Sequence, residues 1–178
     1  QTVRRQKSMK EKERIEKATA EGFLQLFNGH YNTTFDIVKL TDAPDVRCQD
    51  ANGDTLNLEI TLTQDQDQDI QALLGRSNHK SIQALEEHNK LVAEGKEKPI
   101  FSSLFGNVCE NAAAKINEKV LKRYGPNTAL VVRDSSGCDW EWDEITDQLK
   151  GMSKLEKNPF DKGIWVLNFS SSKLYQIV

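Results

Sequence analysis

Pro44-Asp45-Val46-Arg47-Cys48-Gln49-Asp50-Ala51-Asn52-Gly53-Asp54-Thr55-Leu56-Asn57-Leu58-Glu59-Ile60-Thr61-Leu62-Thr63 is the stretch from which the fold can be read. Its second half alternates. Leu56, Leu58, Ile60 and Leu62 fall on one face of an extended strand, and Asn57, Glu59, Thr61 and Thr63 fall on the other. Asp45 to Gln49 forms a shorter extended run that Pro44 is suited to open. Between the two runs, Asp50 to Asp54 is a turn built on Asn52-Gly53, a strong local signal for a β-hairpin. Upstream, Thr34 to Leu40 is rich in β-branched and aromatic residues and predicts a further strand, broken by Thr41-Asp42-Ala43-Pro44.

Before this meander, Ile15, Thr19, Gly22, Phe23 and Leu26 recur at three- and four-residue spacing and predict a helix over roughly 8–28, ended by Asn28-Gly29. After it comes a polar, acidic tract, Gln64 to Asp69, and then a helical segment over 81–94. A longer helix is predicted over 105–124 with Phe105, Val108, Cys109, Ala112, Ala113, Ile116 and Val120 as its buried stripe, stopped by Gly125-Pro126. Thr128 to Val132 is a continuous apolar run, the pattern of a central strand covered on both faces. A short helix over 142–150 and strands at Ile164–Leu167 and Leu174–Ile177 complete the chain. The predicted order is α-β-β-β-α-α-β-α-β-β. It describes one mixed α/β domain over 1–178, with a basic N-terminal part at 1–14 and a helical insert at 64–104.

Composition narrows the function classes. The chain has 178 residues, 37% of them hydrophobic, enough for one sizeable core and too many for a disordered segment. No run approaches the ~20 apolar residues of a membrane-spanning helix, so no membrane role is expected. No signal peptide is visible. The three cysteines, Cys48, Cys109 and Cys138, are too few and too scattered for a disulfide framework, and with no signal peptide they predict a cytoplasmic protein. His30, His79 and His88 have no ligand spacing for zinc, and there is no Gly-rich phosphate loop or nucleophile elbow. Net charge is −3, yet the first 17 residues hold seven Lys/Arg against three Asp/Glu. Arg4, Arg5, Lys7, Lys10 and Lys12 therefore form a basic arm that could neutralise phosphates, as could Arg76, His79 and Lys80.

The chemistry is concentrated in the hairpin. Asp45 opens one strand and Glu59 sits mid-way along its partner, where the two carboxylates could share a hard divalent cation. A plainer reading has Asp45 capping a turn and Glu59 facing solvent.

Pro44-Asp45, then Glu59-Ile60-Thr61, within this order of elements, resembles the PD-(D/E)XK nuclease superfamily over roughly residues 8–133. The resemblance implies a restriction-endonuclease-like fold, a mixed β-sheet flanked by helices. It also implies Mg²⁺ or Mn²⁺ held by Asp45, Glu59 and the Ile60 carbonyl, and hydrolysis of phosphodiester bonds in DNA. Many members add a glutamate from the first helix, and Glu16 and Glu11, both at the edge of the apolar stripe, are placed to supply it, Glu16 ahead of Glu11. Members often work as homodimers.

One position departs from the pattern. The family's lysine, two residues after the glutamate, is here Thr61. Either a lysine from the 105–124 helix takes its place, Lys119 ahead of Lys115, or catalysis is lost and the domain only binds DNA or a protein partner. Gln64 is a further polar group that could face a phosphate. Trp140, Trp142 and Phe101 to Phe105 read as packing residues.

Overall fold

Leu56, Leu58 and Ile60 are buried as the alternation requires, but so are Glu59 and Thr61 on the opposite face. Helices cover both sides of this strand, so its polar face is not a solvated one. The computed structural model describes residues 11–63, 82–97, 105–134, 142–169 and 171–178. Within them the elements are α1 (Glu11–Tyr31), β1 (Asp36–Leu40), β2 (Val46–Gln49), β3 (Thr55–Leu62), α2 (Ile82–Ala93), α3 (Phe105–Val120), β4 (Thr128–Asp134), α4 (Trp142–Met152), β5 (Ile164–Asn168) and β6 (Lys173–Gln176).

The six strands form one mixed α/β sheet in the order β1-β2-β3-β4-β5-β6. β1, β2 and β3 are antiparallel neighbours, β3, β4 and β5 run parallel, and β6 returns antiparallel to β5. The β2–β3 hairpin turns through Asp50 to Asp54. The Asp50 carboxylate accepts the N–H groups of Asn52 and Asp54 at 2.9 Å each, and Gly53 takes the positive φ of 87° that the turn needs.

Two apolar layers hold the sheet. On one face Phe23 and Phe27 of α1 pack over Leu56, Leu58, Val131, Trp165 and Leu167. On the other, Ala112, Ala113 and Ile116 of α3 and Leu149 of α4 pack over Leu130, Val132, Ile164 and Val166. No described helix is long and apolar enough to cross a membrane.

Three sequence-based boundaries shift, each for a local reason. α1 continues past Asn28-Gly29 to Tyr31 and stops at Asn32, which takes a left-handed φ of 53°. Thr33 N–H then bonds the Asn28 carbonyl at 3.0 Å, closing the end as a Schellman-type cap. The Asn28 side chain does not end the helix; its amide donates to the Phe35 carbonyl and accepts Phe35 N–H, tying α1 to the start of β1.

α3 ends at Val120, short of the predicted Tyr124. Leu121 is 79% exposed, and the chain unwinds so that Tyr124 packs tilted against Phe160, with ring centroids 4.6 Å apart. β4, in contrast, runs two residues beyond the apolar stretch. Arg133 is fully buried because its guanidinium lies 3.7 Å from the Phe169 ring and donates to the Thr19 hydroxyl at 2.9 Å. Asp134 is buried because the Thr63 hydroxyl donates to it at 3.2 Å.

β5 begins at a backbone position that only glycine fits. Gly163 has φ +92°, and a Cβ there would lie 2.6 Å from the Val178 carbonyl oxygen. Gly163→Ala is therefore expected to lower unfolding free energy by roughly 1–3 kcal/mol. Chemical denaturation measures this, and an unchanged midpoint would contradict the close packing at this strand entry.

Candidate functional site

The β2–β3 register decides where the two carboxylates meet. Val46 pairs with Leu58, so the next position outward sets Asp45 directly opposite Glu59. Val46 and Leu58 face α1, and alternation therefore turns Asp45 and Glu59 to the face that α3 covers. Directly opposed residues on one face have Cβ atoms about 5 Å apart. Two like charges at that distance repel, and both residues are buried, Asp45 at 5% and Glu59 at 7% exposure.

Asp45 is held by the backbone of β3. Its Oδ2 accepts Ile60 N–H at 2.8 Å. Asn57 and Thr63 N–H groups bond toward β4, so the even-numbered Ile60 presents its N–H and C=O toward β2, just past the end of the β2–β3 ladder. The Ile60 carbonyl thus points to the same side as the Asp45 carboxylate. The Thr41 hydroxyl donates to the Pro44 carbonyl and Thr41 N–H bonds the Asp45 carbonyl at 2.8 Å, which fixes the approach to β2.

Glu59 is met by Lys119. The ammonium at the last turn of α3 donates to Glu59 Oε1 at 2.7 Å, with the two side chains 17% and 9% exposed. A cation is favourable at a helix C-terminus. Glu59 Oε2 is buried, and no hydrogen-bond donor among the described residues reaches it. The nearby Tyr124 hydroxyl is buried and unpartnered in the same way. Burial pushes the Tyr124 phenol up, and the charges of Glu59 and Asp45 add to the shift.

Glu16 belongs to the same charge cluster, though it comes from the other layer. The buried side of α1 keeps Thr19 and Phe23 of the predicted stripe but is turned to include Glu16, Ala20, Leu24 and Phe27, leaving Ile15, Gly22 and Leu26 half-buried. The cause is the aromatic packing of Phe23, Phe27 and Tyr31 on Trp165, with ring centroids 5.8–6.1 Å apart. That turn brings Glu16 inside, 6% exposed, with the exposed Lys12 at 3.3 Å. Burial raises the Glu16 carboxyl first and the charge of Asp45 second, against the opposing pull of Lys12. Burial likewise raises Asp45; Ile60 N–H and Lys119 lower it and Glu59 raises it.

Thr61, where the superfamily that the sequence resembles carries a lysine, is buried on the Glu59 face. Lys115 is half-buried one turn before Lys119. Gln64, Arg76, His79, Lys80, Phe101 and Trp140 lie outside the described residues, as do Arg4, Arg5, Lys7 and Lys10. Among the described residues no group of three or more His, Cys, Asp or Glu is arranged to hold a metal ion, so Glu16 does not complete a three-carboxylate cage. What the structure brings together is an opposed carboxylate pair, one lysine, a backbone carbonyl on the same side and an orphaned carboxylate oxygen. Sequence reading did not single out Tyr124. Its only signal was a place just before Gly125-Pro126.

The raised carboxyls set a pH dependence. Asp45 and Glu16 hold their protons to higher pH in the folded chain than in the unfolded one, so folding takes up protons above the ordinary carboxylate range. Stability then falls as pH rises through that window. Asp45→Asn keeps an oxygen for Ile60 N–H and removes the charge, so it is expected to be more stable than the wild type near neutral pH. The gap should close as pH falls to the ordinary carboxylate range. Denaturant midpoints across pH measure this, and a pH-independent gap would contradict it.

Set against models of protein families, characterised proteins and solved structures, the chain matches none of them.

Proposed function

We propose that this domain is a divalent-metal-dependent nuclease of the PD-(D/E)XK type that hydrolyses phosphodiester bonds in DNA. The observation that carries the reading is the buried Asp45–Glu59 pair with Lys119 Nζ 2.7 Å from Glu59 Oε1. Asp45, Glu59 and Glu16 bring three carboxyls to one cluster, met by the half-buried Lys119 and the exposed Lys12. That excess of negative charge, with Glu59 Oε2 left without a donor, suits a hard cation. Mg²⁺ needs only one or two carboxylates, because waters and substrate phosphate complete its octahedron. Asp45, Glu59 and the Ile60 carbonyl would hold it, which is compatible with the absence of a three-carboxylate cage among the described residues. When bound, the ion would polarise the scissile phosphate and activate a water.

The remaining chemistry falls to the chain. Lys119, fixed by Glu59 and the end of α3, supplies positive charge where the phosphate accumulates negative charge, the task of the missing lysine at Thr61. Glu16, with its carboxyl raised by burial and by Asp45, is suited to take the proton the water gives up. The P–O bond opposite the attacking oxygen breaks, and the leaving oxygen is protonated from solvent.

A second reading rests on Thr61 being buried and uncharged where the family pattern has a lysine. In that reading Lys119–Glu59 is a structural ion pair, and the domain binds DNA or a protein partner without cutting.

The two readings separate in a cleavage assay on linear and circular DNA with Mg²⁺ or Mn²⁺, beside EDTA and Asp45→Ala controls. The nuclease reading expects metal-dependent cutting that Asp45→Ala abolishes. It expects Lys119→Ala to lower kcat by about 10²- to 10³-fold, the usual effect of removing one charge-stabilising donor. Folded wild-type protein that cuts no substrate, while Mg²⁺ still raises its melting temperature, would favour the binding module.

A further inference from the structure

The carboxylate pair has a second row of side chains beside it. Arg47 lies two residues beyond Asp45 on the same face of β2, and its direct partner on β3 is Asn57, two residues before Glu59. Two residues along a strand is about 6.5 Å. Across the other ladder, Arg47 pairs with Lys39 of β1, so two cations stand directly opposite each other on one face. Such a pair is destabilising unless an anion lies between them. The bulge at Val38, which is 64% exposed, is what swings Lys39 into this register.

A third cation joins them from the segment after α3. Pro44, Arg47 and Asn57 on the sheet, with Arg123, Tyr124 and Pro126 after α3, line a groove of about 540 Å³. The groove abuts the carboxylates, since Pro44 precedes Asp45 and the Tyr124 hydroxyl feels the charges of Glu59 and Asp45. Lys39, Arg47 and Arg123 are all exposed, and none forms an ion pair with a described residue. Asp36, the acidic residue nearest them on β1, accepts its own strand's Ile37 N–H at 2.8 Å. In a chain of net charge −3, Arg47 and Arg123 line one groove and Lys39 stands opposite Arg47 on β1, a local cluster of cations that no described acid pairs with.

We infer that Lys39, Arg47 and Arg123 grip the phosphodiester backbone of the strand presented to Asp45 and Glu59. The row spacing is the relevant geometry. With the scissile phosphate at the carboxylate row, the neighbouring phosphate of an extended strand falls at the Arg47–Asn57 row. Asn57 is already bonded to the Pro126 carbonyl at 3.2 Å, so the cations rather than the amide provide the grip. Arg47 reaches the phosphate from β2 and Arg123 from the segment after α3, and Lys39 extends the grip toward the sheet edge at β1. Phosphate contacts of this kind set position and affinity and read no base sequence. The placement of the scissile phosphate rests on the nuclease reading, whereas the grip itself does not.

The test is fluorescence anisotropy with labelled DNA and RNA strands of one sequence, and with the DNA duplex, in EDTA so that nothing is cut. Arg47→Gln/Arg123→Gln is expected to weaken binding at least tenfold at low salt. It should also flatten the dependence of log affinity on log salt by roughly 0.9 for each duplex phosphate that is no longer neutralised. Lys39→Gln should add a smaller loss. Lys150→Gln, on the exposed side of α4, should change neither quantity, and thermal melts of all variants check folding.

Equal effects on DNA and RNA identify the backbone charge as the ligand, and a selective effect identifies which polymer the groove holds. Variants that bind as tightly as wild type with the same salt slope, or a wild type that binds neither polymer, overturn the inference. Arginine-dependent binding with no cleavage by the wild type leaves the grip standing and removes the nuclease reading. Cleavage that survives the double variant with unchanged affinity does the opposite.

Discussion

Antiparallel pairing of Val46 with Leu58 and of Cys48 with Leu56 governs both faces of the sheet, because a slip of one residue would turn every side chain over. The four apolar side chains must lie under α1, where they are almost wholly buried. Everything polar on β2 and β3 is then forced to the α3 side. Asp45 comes to oppose Glu59, and Arg47 comes to oppose Asn57, as by-products of burying the other face. The apolar layer holds the register, and the register assembles the site.

That assembly is costly in itself. Two opposed carboxylates inside the protein repel, and the chain answers with local devices: Ile60 N–H for Asp45 and Lys119 for Glu59. The answer is incomplete, since Glu59 Oε2 and the Tyr124 hydroxyl have no hydrogen-bond partner among the described residues. Buried polar atoms in folded proteins are almost always satisfied, and each exception calls for a cause such as strain, a bound ion or water, or a catalytic role. A few residues away the electrostatic imbalance has the other sign, with Lys39 set against Arg47 and no described acid pairing with either. Adjacent patches of unbalanced charge of opposite sign are what the proposed nuclease reading requires of this face.

Arg133 shows the contrasting case, a buried charge that is fully accommodated. Its guanidinium meets the Phe169 ring and the Thr19 hydroxyl, linking β4 to α1 through the core. Burial still lowers its pKa to about 10, which leaves it charged at any physiological pH. The charge therefore acts as a structural strut between the layers, where Asp45 and Glu59 remain electrostatically frustrated.

Much of this was legible in the residues because it depends on short periods. Alternation in Thr55–Leu62 placed Glu59 opposite in face to Leu58, Asn52-Gly53 marked the hairpin, and the apolar run after Asn127 marked a strand covered on both sides. The position of Lys119 at the edge of the α3 stripe was likewise a matter of helical spacing. Partners far apart in the chain were not legible. Whether the polar face of β3 is wet or covered depends on α3, some fifty residues later, and Glu16 turns inward only because Phe23, Phe27 and Tyr31 seek Trp165. Arg47 and Arg123 come to line one groove only when the segment after α3 is laid against β3. Local hydrogen-bond geometry and side-chain periodicity are written residue by residue, so the sequence alone determined the strands, the hairpin and the polar face of β3 that carries Glu59. Burial and electrostatic pairing are sums over the packed whole, so only the tertiary structure decided which charges are enclosed, which are answered and which stand open.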